Sequence, residues 1–148
     1  MTKEEISSIV KRCGTEIECF IHGALEAIDD QGRSMRLATP TGQPELRLLS
    51  NHPSCQRAGQ LRYIDIVLCD RNGGRYFFAD RKITVCVSGG KLLALGTASP
   101  TSLESFDSDT VTLYEGRAQA IVQCTGQDME ICVLSEGVQD ARLLLPME

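Results

Sequence analysis

The chain reads as an all-β protein, an antiparallel Ig-like β-sandwich preceded by a short helix and a small β-meander. Three observations lead there. Apolar residues recur at every second position in run after run, as in Ile64, Ile66 and Leu68 or Ile83, Val85 and Val87, the period of a half-buried strand. Turns rich in Gly, Asp and Asn separate these runs at sandwich spacing. The long polar stretch between two of them, with Pro100, several Ser and Asp107 and Asp109, fits no helical period.

Taken in order, residues 2–12 predict a short helix. Thr2 followed by Glu5 forms a capping box, Ile6, Ile9 and Val10 make one apolar stripe, and Gly14 stops it. Ile17, Cys19 and Ile21 then alternate with Glu16 and Glu18. Leu25 and Ala27 follow, then the turn 29–32, then Met35 and Leu37, which together predict a small antiparallel meander. Residues 38–44 (ATPTGQP) have linker composition, which places a boundary between residues 1–43 and 44–148.

From Glu45 the sandwich strands begin. Leu46 and Leu48 open the first; Ile64, Ile66 and Leu68 face one way in the next, with Tyr63, Asp65 and Val67 opposite. Asp70-Arg71-Asn72-Gly73-Gly74 turns the chain. Ile83, Val85 and Val87 alternate with Thr84, Cys86 and Ser88, and Leu92 to Leu95 is a short apolar run ending at Gly96. In the loop that follows, Leu103 and Phe106 suggest a corner folded back onto an apolar surface. Ala118, Ala120, Val122 and Cys124 alternate with Gln119, Ile121 and Gln123; Met129, Ile131 and Val133 alternate with Glu130 and Cys132; and Glu136-Gly137 turns into a closing strand with Leu143 and Leu145.

The 148 residues suffice for one domain or a domain plus a fragment. A domain of about 100 residues buries roughly 60–70% of its unfolded surface, enough for a proper core. The net charge of −5, without basic clusters or interleaved aromatics, speaks against nucleic acid and anionic membranes. No apolar run approaches the ~20 residues of a membrane span, and the N-terminus carries no basic-then-apolar leader pattern. The seven cysteines (Cys13, Cys19, Cys55, Cys69, Cys86, Cys124 and Cys132) are odd in number and include no CxxC, a poor disulfide framework. Those inside strand patterns, Cys86, Cys124 and Cys132, are expected to act as small hydrophobes. Free thiols imply a reducing compartment, and so a cytoplasmic location.

Two segments carry a family resemblance. Gly96-x-Ala98-x-Pro100-x-Ser102-x-Glu104-x-Phe106, followed by Tyr114-x-Gly116-Arg117-Ala118-x-Ala120-Ile121-Val122, resembles the C-terminal Ig-like domain of family 2 glycoside hydrolases of the β-galactosidase type. The likeness extends upstream through the run 64–73 and downstream through the strand 141–145, about two-thirds of the chain. Residues 23–32 resemble the last hairpin of the Ig-like domain that precedes the C-terminal one in the same enzymes, so residues 1–43 would hold only the final strands of that domain. The resemblance implies a non-catalytic accessory domain that packs beside a catalytic barrel and other domains of a parent hydrolase, shaping the active-site rim or subunit contacts. Where the family often has Asn or Asp before the loop proline, this chain has Ser99, so no sugar-contacting or ion-binding role is carried to the loop.

No catalytic, cofactor-binding or metal-binding residue is assigned. A retaining glycosidase needs two carboxylates about 5 Å apart, which in the family sit on a barrel of about 250 residues that this chain cannot contain. Glu104 and Asp107 read as solvated or turn-capping. Ser88-Gly89-Gly90-Lys91 has the wrong spacing for a phosphate loop and reads as a hairpin turn. His22 and His52 have no acid or nucleophile at a meaningful spacing. Two alternative functions remain. Tyr76, Phe77 and Phe78 are contiguous, so at least one ring must leave the core and could stack weakly on a sugar, as in a carbohydrate-binding module. An adhesin-type Ig-like repeat shares the sandwich, but the free cysteines and the Gly116-Arg117 motif argue against it. Strands cut from their sheet are finally expected to pair with the sandwich or with a second copy, giving a homodimer.

Overall fold

The computed structural model describes residues 40–148 in full, and before them only the backbone of three strands; the expected helix at 2–12 and the side chain of His22 lie outside the described residues. The chain divides into two compact units, Met1–Thr39 and Pro40–Glu148, with the division inside the linker read from composition. In the first unit β1 (Ile17–Ile21), β2 (Ala24–Ile28) and β3 (Ser34–Ala38) form a three-stranded antiparallel sheet in that order. It is the meander that the alternation of Ile17, Cys19 and Ile21 predicts.

The second unit is all-β. Its strands are β4 (Glu45–Ser50), β5 (Leu61–Cys69), β6 (Lys82–Ser88), β7 (Gly90–Gly96), β8 (Thr110–Thr112), β9 (Arg117–Cys124), β10 (Met129–Ser135) and β11 (Val138–Leu145). They follow the order β7-β9-β5-β4-β11-β10-β6-β8. Every pairing between these strands is antiparallel except one parallel rung, Gln139 with Glu45, which joins β4 to β11. That rung divides the order into two four-stranded halves, β7-β9-β5-β4 and β11-β10-β6-β8. The halves close over a single core, the sandwich expected from the strand periodicity.

The core follows from period-two alternation. Ile64, Ile66 and Leu68 on β5 are fully buried, with Leu46 on β4 and Ala118, Ala120, Val122 and Cys124 on β9 beside them. From the other half come Ile83 and Val85 on β6, Val111 on β8, Met129, Ile131 and Val133 on β10 and Leu145 on β11. Residue size is matched across strands: Ile64 sits opposite Ala120 and Ile66 opposite Ala118, so bulky and small side chains share the inner layer. The inner face of β5 begins earlier than Ile64. Arg62 is buried too, and its guanidinium donates to Ser54 O (2.8 Å), Leu61 O (2.8 Å) and Gln60 Oε1 (3.0 Å). Neutral acceptors thus satisfy a charge at the end of the core.

Several sequence expectations change here. The stretch between β7 and β9 is not all loop, because Thr110–Thr112 adds an edge strand to β6; three residues are too few to show a period. Ser88-Gly89-Gly90-Lys91 is not a hairpin turn. β6 and β7 belong to different halves and do not pair, so the segment is a tight corner between sheets. Gly89 takes φ of 69°, and a methyl group there would overlap the Asp128 carbonyl, so the corner depends on glycine. Leu103 is not folded back: it is 100% exposed. Phe106 is folded back, with its ring over Gly96 where a side chain would collide with it, and its carbonyl accepts from Leu95 N at 2.9 Å.

Ile66→Ala deletes the centre of the inner layer. It is expected to destabilise the sandwich by about 2–5 kcal/mol, read as a fall in Tm of roughly 4 °C or more per kcal/mol by thermal denaturation. A change within ±0.5 kcal/mol would contradict the placement of the core.

Candidate functional site

The aromatic residues singled out from the sequence lie where β5 ends and the chain turns back. Asp70, itself buried, organises this turn. Its backbone exchanges hydrogen bonds with Gly74 and Gly73, both at 2.9 Å. Its carboxylate accepts from Asn72 N (2.9 Å), Gly74 N (2.8 Å) and, across the linker, Thr41 N (3.0 Å). These amides, that of Thr41 foremost and then Gly74, hold the Asp70 carboxyl below its ordinary range against the opposing effect of burial. The linker is gripped a second time by Tyr76, whose hydroxyl donates to Gly42 O.

The three contiguous aromatics therefore separate in role. Tyr76 packs against the core and spends its hydroxyl on the linker, so it is not a free stacking ring. Phe77 lies under the Arg75 guanidinium, whose carbon is 3.9 Å from the ring centroid, a cation–π contact. Phe78 points to solvent and is 97% exposed. Beside them, Tyr114 and Arg117 exchange backbone hydrogen bonds at 3.1 and 2.9 Å around Glu115 and Gly116, with φ of 50° and 69°. Two successive positive φ values make this the primed two-residue turn that suits twisted hairpins. Gly116 O then accepts from Leu68 N at 2.9 Å, and a side chain on Gly116 would strike the Tyr76 carbonyl. The Gly-Arg pair noticed in the sequence is thus the point where β9 enters the sheet against the aromatic segment. Burial and then the nearby Arg117 lower the Arg75 pKa, with Glu115 opposing them.

The acidic loop residues have structural duties or none. Glu104 accepts from Thr112 N (3.1 Å) and Thr112 Oγ1 (2.8 Å), pinning the corner loop to β8. Those contacts, the backbone amide first, depress its pKa. The Asp107 carboxylate has no hydrogen bond among the described residues; only its backbone N–H is used, toward Ser105 Oγ at 3.2 Å. His52 Nδ1 accepts from Ser54 N at 3.4 Å, a local turn contact. Among the described residues no group of three or more His, Cys, Asp or Glu side chains could hold a metal ion.

Chemically, the region offers an exposed ring, a stacked guanidinium and backbone groups already in use. It offers no acid–base pair. A glycosidase acid must have its pKa raised so that it carries a proton near neutrality, yet both perturbed carboxylates, Asp70 and Glu104, are shifted down.

Comparison with known proteins fits this geometry. The family model described as glycoside hydrolase family 2 C-terminal domain 5 matches residues 46–143. The chain belongs to that family. No curated protein sequence matches it. Among solved structures it is similar to a glycosyl hydrolase family 2 member from Bacteroides cellulosilyticus (TM-score 0.75, 20% identity, 85% of this chain and 18% of that one). A β-glycosidase from Bacteroides vulgatus gives TM-score 0.71 at 20% identity, over 84% of this chain and 17% of that one. A β-glucuronidase from glycoside hydrolase family 2 gives 0.68 at 17% identity, over 84% and 14%. At these identities the likeness speaks for the fold, and the chain spans less than a fifth of each protein.

The Asp70 carboxylate gives a testable pH dependence. Its folded pKa lies below the unfolded value near 3.8, and that of Glu104 below 4.5. Both contributions are present above those unfolded values and fade as pH falls through the folded ones. Tm is therefore expected to drop on going from about pH 5 to pH 3. Asp70→Asn should lower Tm by several degrees at pH 7 and shrink the acid-induced drop. An unchanged profile in the variant would show that the linker grip is not electrostatic.

Proposed function

We propose that the chain is a non-catalytic accessory domain of a family 2 glycoside hydrolase of the β-galactosidase type, supporting the catalytic barrel, the active-site rim or subunit contacts. The observation that carries this reading is the state of two carboxylates among the described residues: Asp70 and Glu104 are committed to backbone amides and shifted down, opposite to the raised pKa a glycosidase acid needs. The partners this implies are the barrel and the other domains of a longer parent. The three-stranded sheet β1–β3 is read as the last strands of a preceding Ig-like domain. The match to the Bacteroides cellulosilyticus protein takes in 85% of this chain, more than residues 40–148 alone supply, which supports this reading.

Two finer readings rest on particular residues. Phe78, exposed beside the Arg75–Phe77 stack, is the ring that the alternative reading, a carbohydrate-binding module, would use against the flat face of a sugar. In the described residues β1 and β3 are the edges of a three-stranded sheet, and unpaired edges template pairing with a second copy.

One set of assays on the purified chain tests these readings together. Incubation with aryl β-galactosides and aryl β-glucuronides is expected to give no turnover, and detectable turnover overturns the accessory reading. Calorimetric titration with galactose, lactose and β-linked polysaccharides is expected to show no saturable binding. Binding that disappears in Phe78→Ala would make the domain a carbohydrate-binding module instead. Light scattering should show concentration-dependent dimerisation; a monomer mass at every concentration rejects the edge pairing.

A further inference from the structure

The cysteines do not all sit where their strand positions suggested. Cys124 is buried, as are Cys55 and Cys69, but Cys86 is exposed and Cys132 only half-buried. The reason is the same alternation that builds the core. With Ile83 and Val85 inward on β6, Cys86 faces outward; with Ile131 and Val133 inward on β10, so does Cys132. β6 and β10 are neighbours, and their register places Cys86 directly opposite Cys132. Two thiols therefore stand side by side on the outer surface of one sheet.

The ladder also defines their spacing. Val85 N donates to Asp109 O at 2.8 Å, on the β8 side of β6. The next residue, Cys86, then turns its backbone groups toward β10, so Cys86 and Cys132 form a hydrogen-bonded pair with Cα atoms about 5.5 Å apart. That is inside the 4.4–6.8 Å range, and near the commonest value, for disulfide-linked residues. On its other side Cys132 faces Arg142 of β11, in the complementary, closer type of pair. Arg142 is held there by Glu130 at 3.2 Å. Burial raises the Cys132 pKa; the Arg142 guanidinium opposes that rise only in part, and Asp140, Cys86 and Glu130 add to it, so Cys132 rests as the thiol.

We propose that Cys86 and Cys132 form a two-electron redox site, a cross-strand dithiol that closes to an intramolecular disulfide on reaction with a hydroperoxide. Cys86, the more exposed, attacks the peroxide oxygen as thiolate. The O–O bond breaks, a sulfenic acid forms and water leaves with the added proton. The Cys132 thiol then attacks the sulfenic sulfur as its proton passes to the departing hydroxide; the S–S bond forms, the S–O bond breaks and a second water leaves. Two thiols are oxidised by two electrons and one hydrogen peroxide is reduced to two waters. In a hydrogen-bonded pair the Cβ atoms stand toward the wider end of about 4.5–5.5 Å, so closing the disulfide to roughly 3.5–4.5 Å draws the two strands together locally. The bond is also exposed, so it belongs with the readily reduced disulfides rather than the inert structural ones.

The test uses the full chain, fully reduced and then given hydrogen peroxide. Thiols are blocked, and the protein is digested without reductant by trypsin and a Glu-specific protease. Cleavage at Arg117 and Glu130 separates Cys124 from Cys132. Mass spectrometry is expected to find the Cys86 and Cys132 peptides joined, about two mass units below their sum, as the main oxidised species. The link should vanish with dithiothreitol, and Cys132→Ser should instead leave Cys86 as sulfenic or higher acids. Three results would overturn the site: Cys86 oxidised singly while Cys132 stays a free thiol in the unsubstituted chain; Cys86 linked to any other cysteine or to a second chain; or neither thiol oxidised by peroxide that oxidises free cysteine under the same conditions.

Discussion

The constraint on which the rest depends is the inner face of β5. A strand shows alternate residues to alternate faces, so once Ile64, Ile66 and Leu68 are committed inward the register of everything paired to them is set. β9 must then offer small residues where β5 offers large ones, and it does, with Ala120 and Ala118 opposite Ile64 and Ile66. A one-residue slip of either strand would bring Gln119 or Asp65 into the core, where an unpaired amide or carboxylate is costly. As seated, Gln119 and Asp65 instead meet on the outside, with Gln119 Nε2 donating to Asp65 Oδ1 at 2.8 Å.

From that strand the functional geography follows. Its C-terminal end runs directly into Asp70, and through Asp70 and Tyr76 it holds the linker that joins the two units. Its N-terminal end is closed by Arg62 and by the loop carrying Cys55, whose backbone meets the end of the chain at Pro146 and Glu148. Each end is thus sealed by hydrogen bonds already made, which suits a supporting domain better than a reactive one. What is left free is on the outside: the Phe78 ring, the most exposed of the described aromatics, and a pair of thiols on the β6–β10 surface. The carboxylate shifts point the same way, because a group pinned by amides is a stabilising acceptor and a poor proton donor.

Much of this was legible in the sequence, and the exceptions have physical causes. The inward sets on β5, β6, β9 and β10 could be read from period-two alternation alone, since burial on one face leaves that trace. The Tyr114–Arg117 turn could not be read as a turn, since Glu115 gives no sign of its positive φ; only the Gly116-Arg117 pair stood out. β8 was missed because three residues carry no period. Arg62 was missed because a charged residue at an inward position looks like the end of a strand; only the carbonyls of Ser54 and Leu61, close in space, explain it. The corner residues Leu103 and Phe106 looked alike in sequence, yet only Phe106 meets a glycine that leaves room for its ring. The opposition of Cys86 and Cys132 depends on pairing between strands more than forty residues apart in the chain, which no single-strand pattern encodes. The same holds for the split roles of Tyr76, Phe77 and Phe78.

The central claim is that residues 40–148 are a self-sufficient sandwich organised by β5. Unfolding of that segment alone, followed by calorimetry and far-UV circular dichroism beside the full chain, tests it most directly. The account predicts one cooperative transition in the segment, with calorimetric and van't Hoff enthalpies in agreement and a Tm close to that of the corresponding transition in the full chain. A segment without a cooperative transition, or one that regains it only when residues 1–39 are restored, would contradict the account.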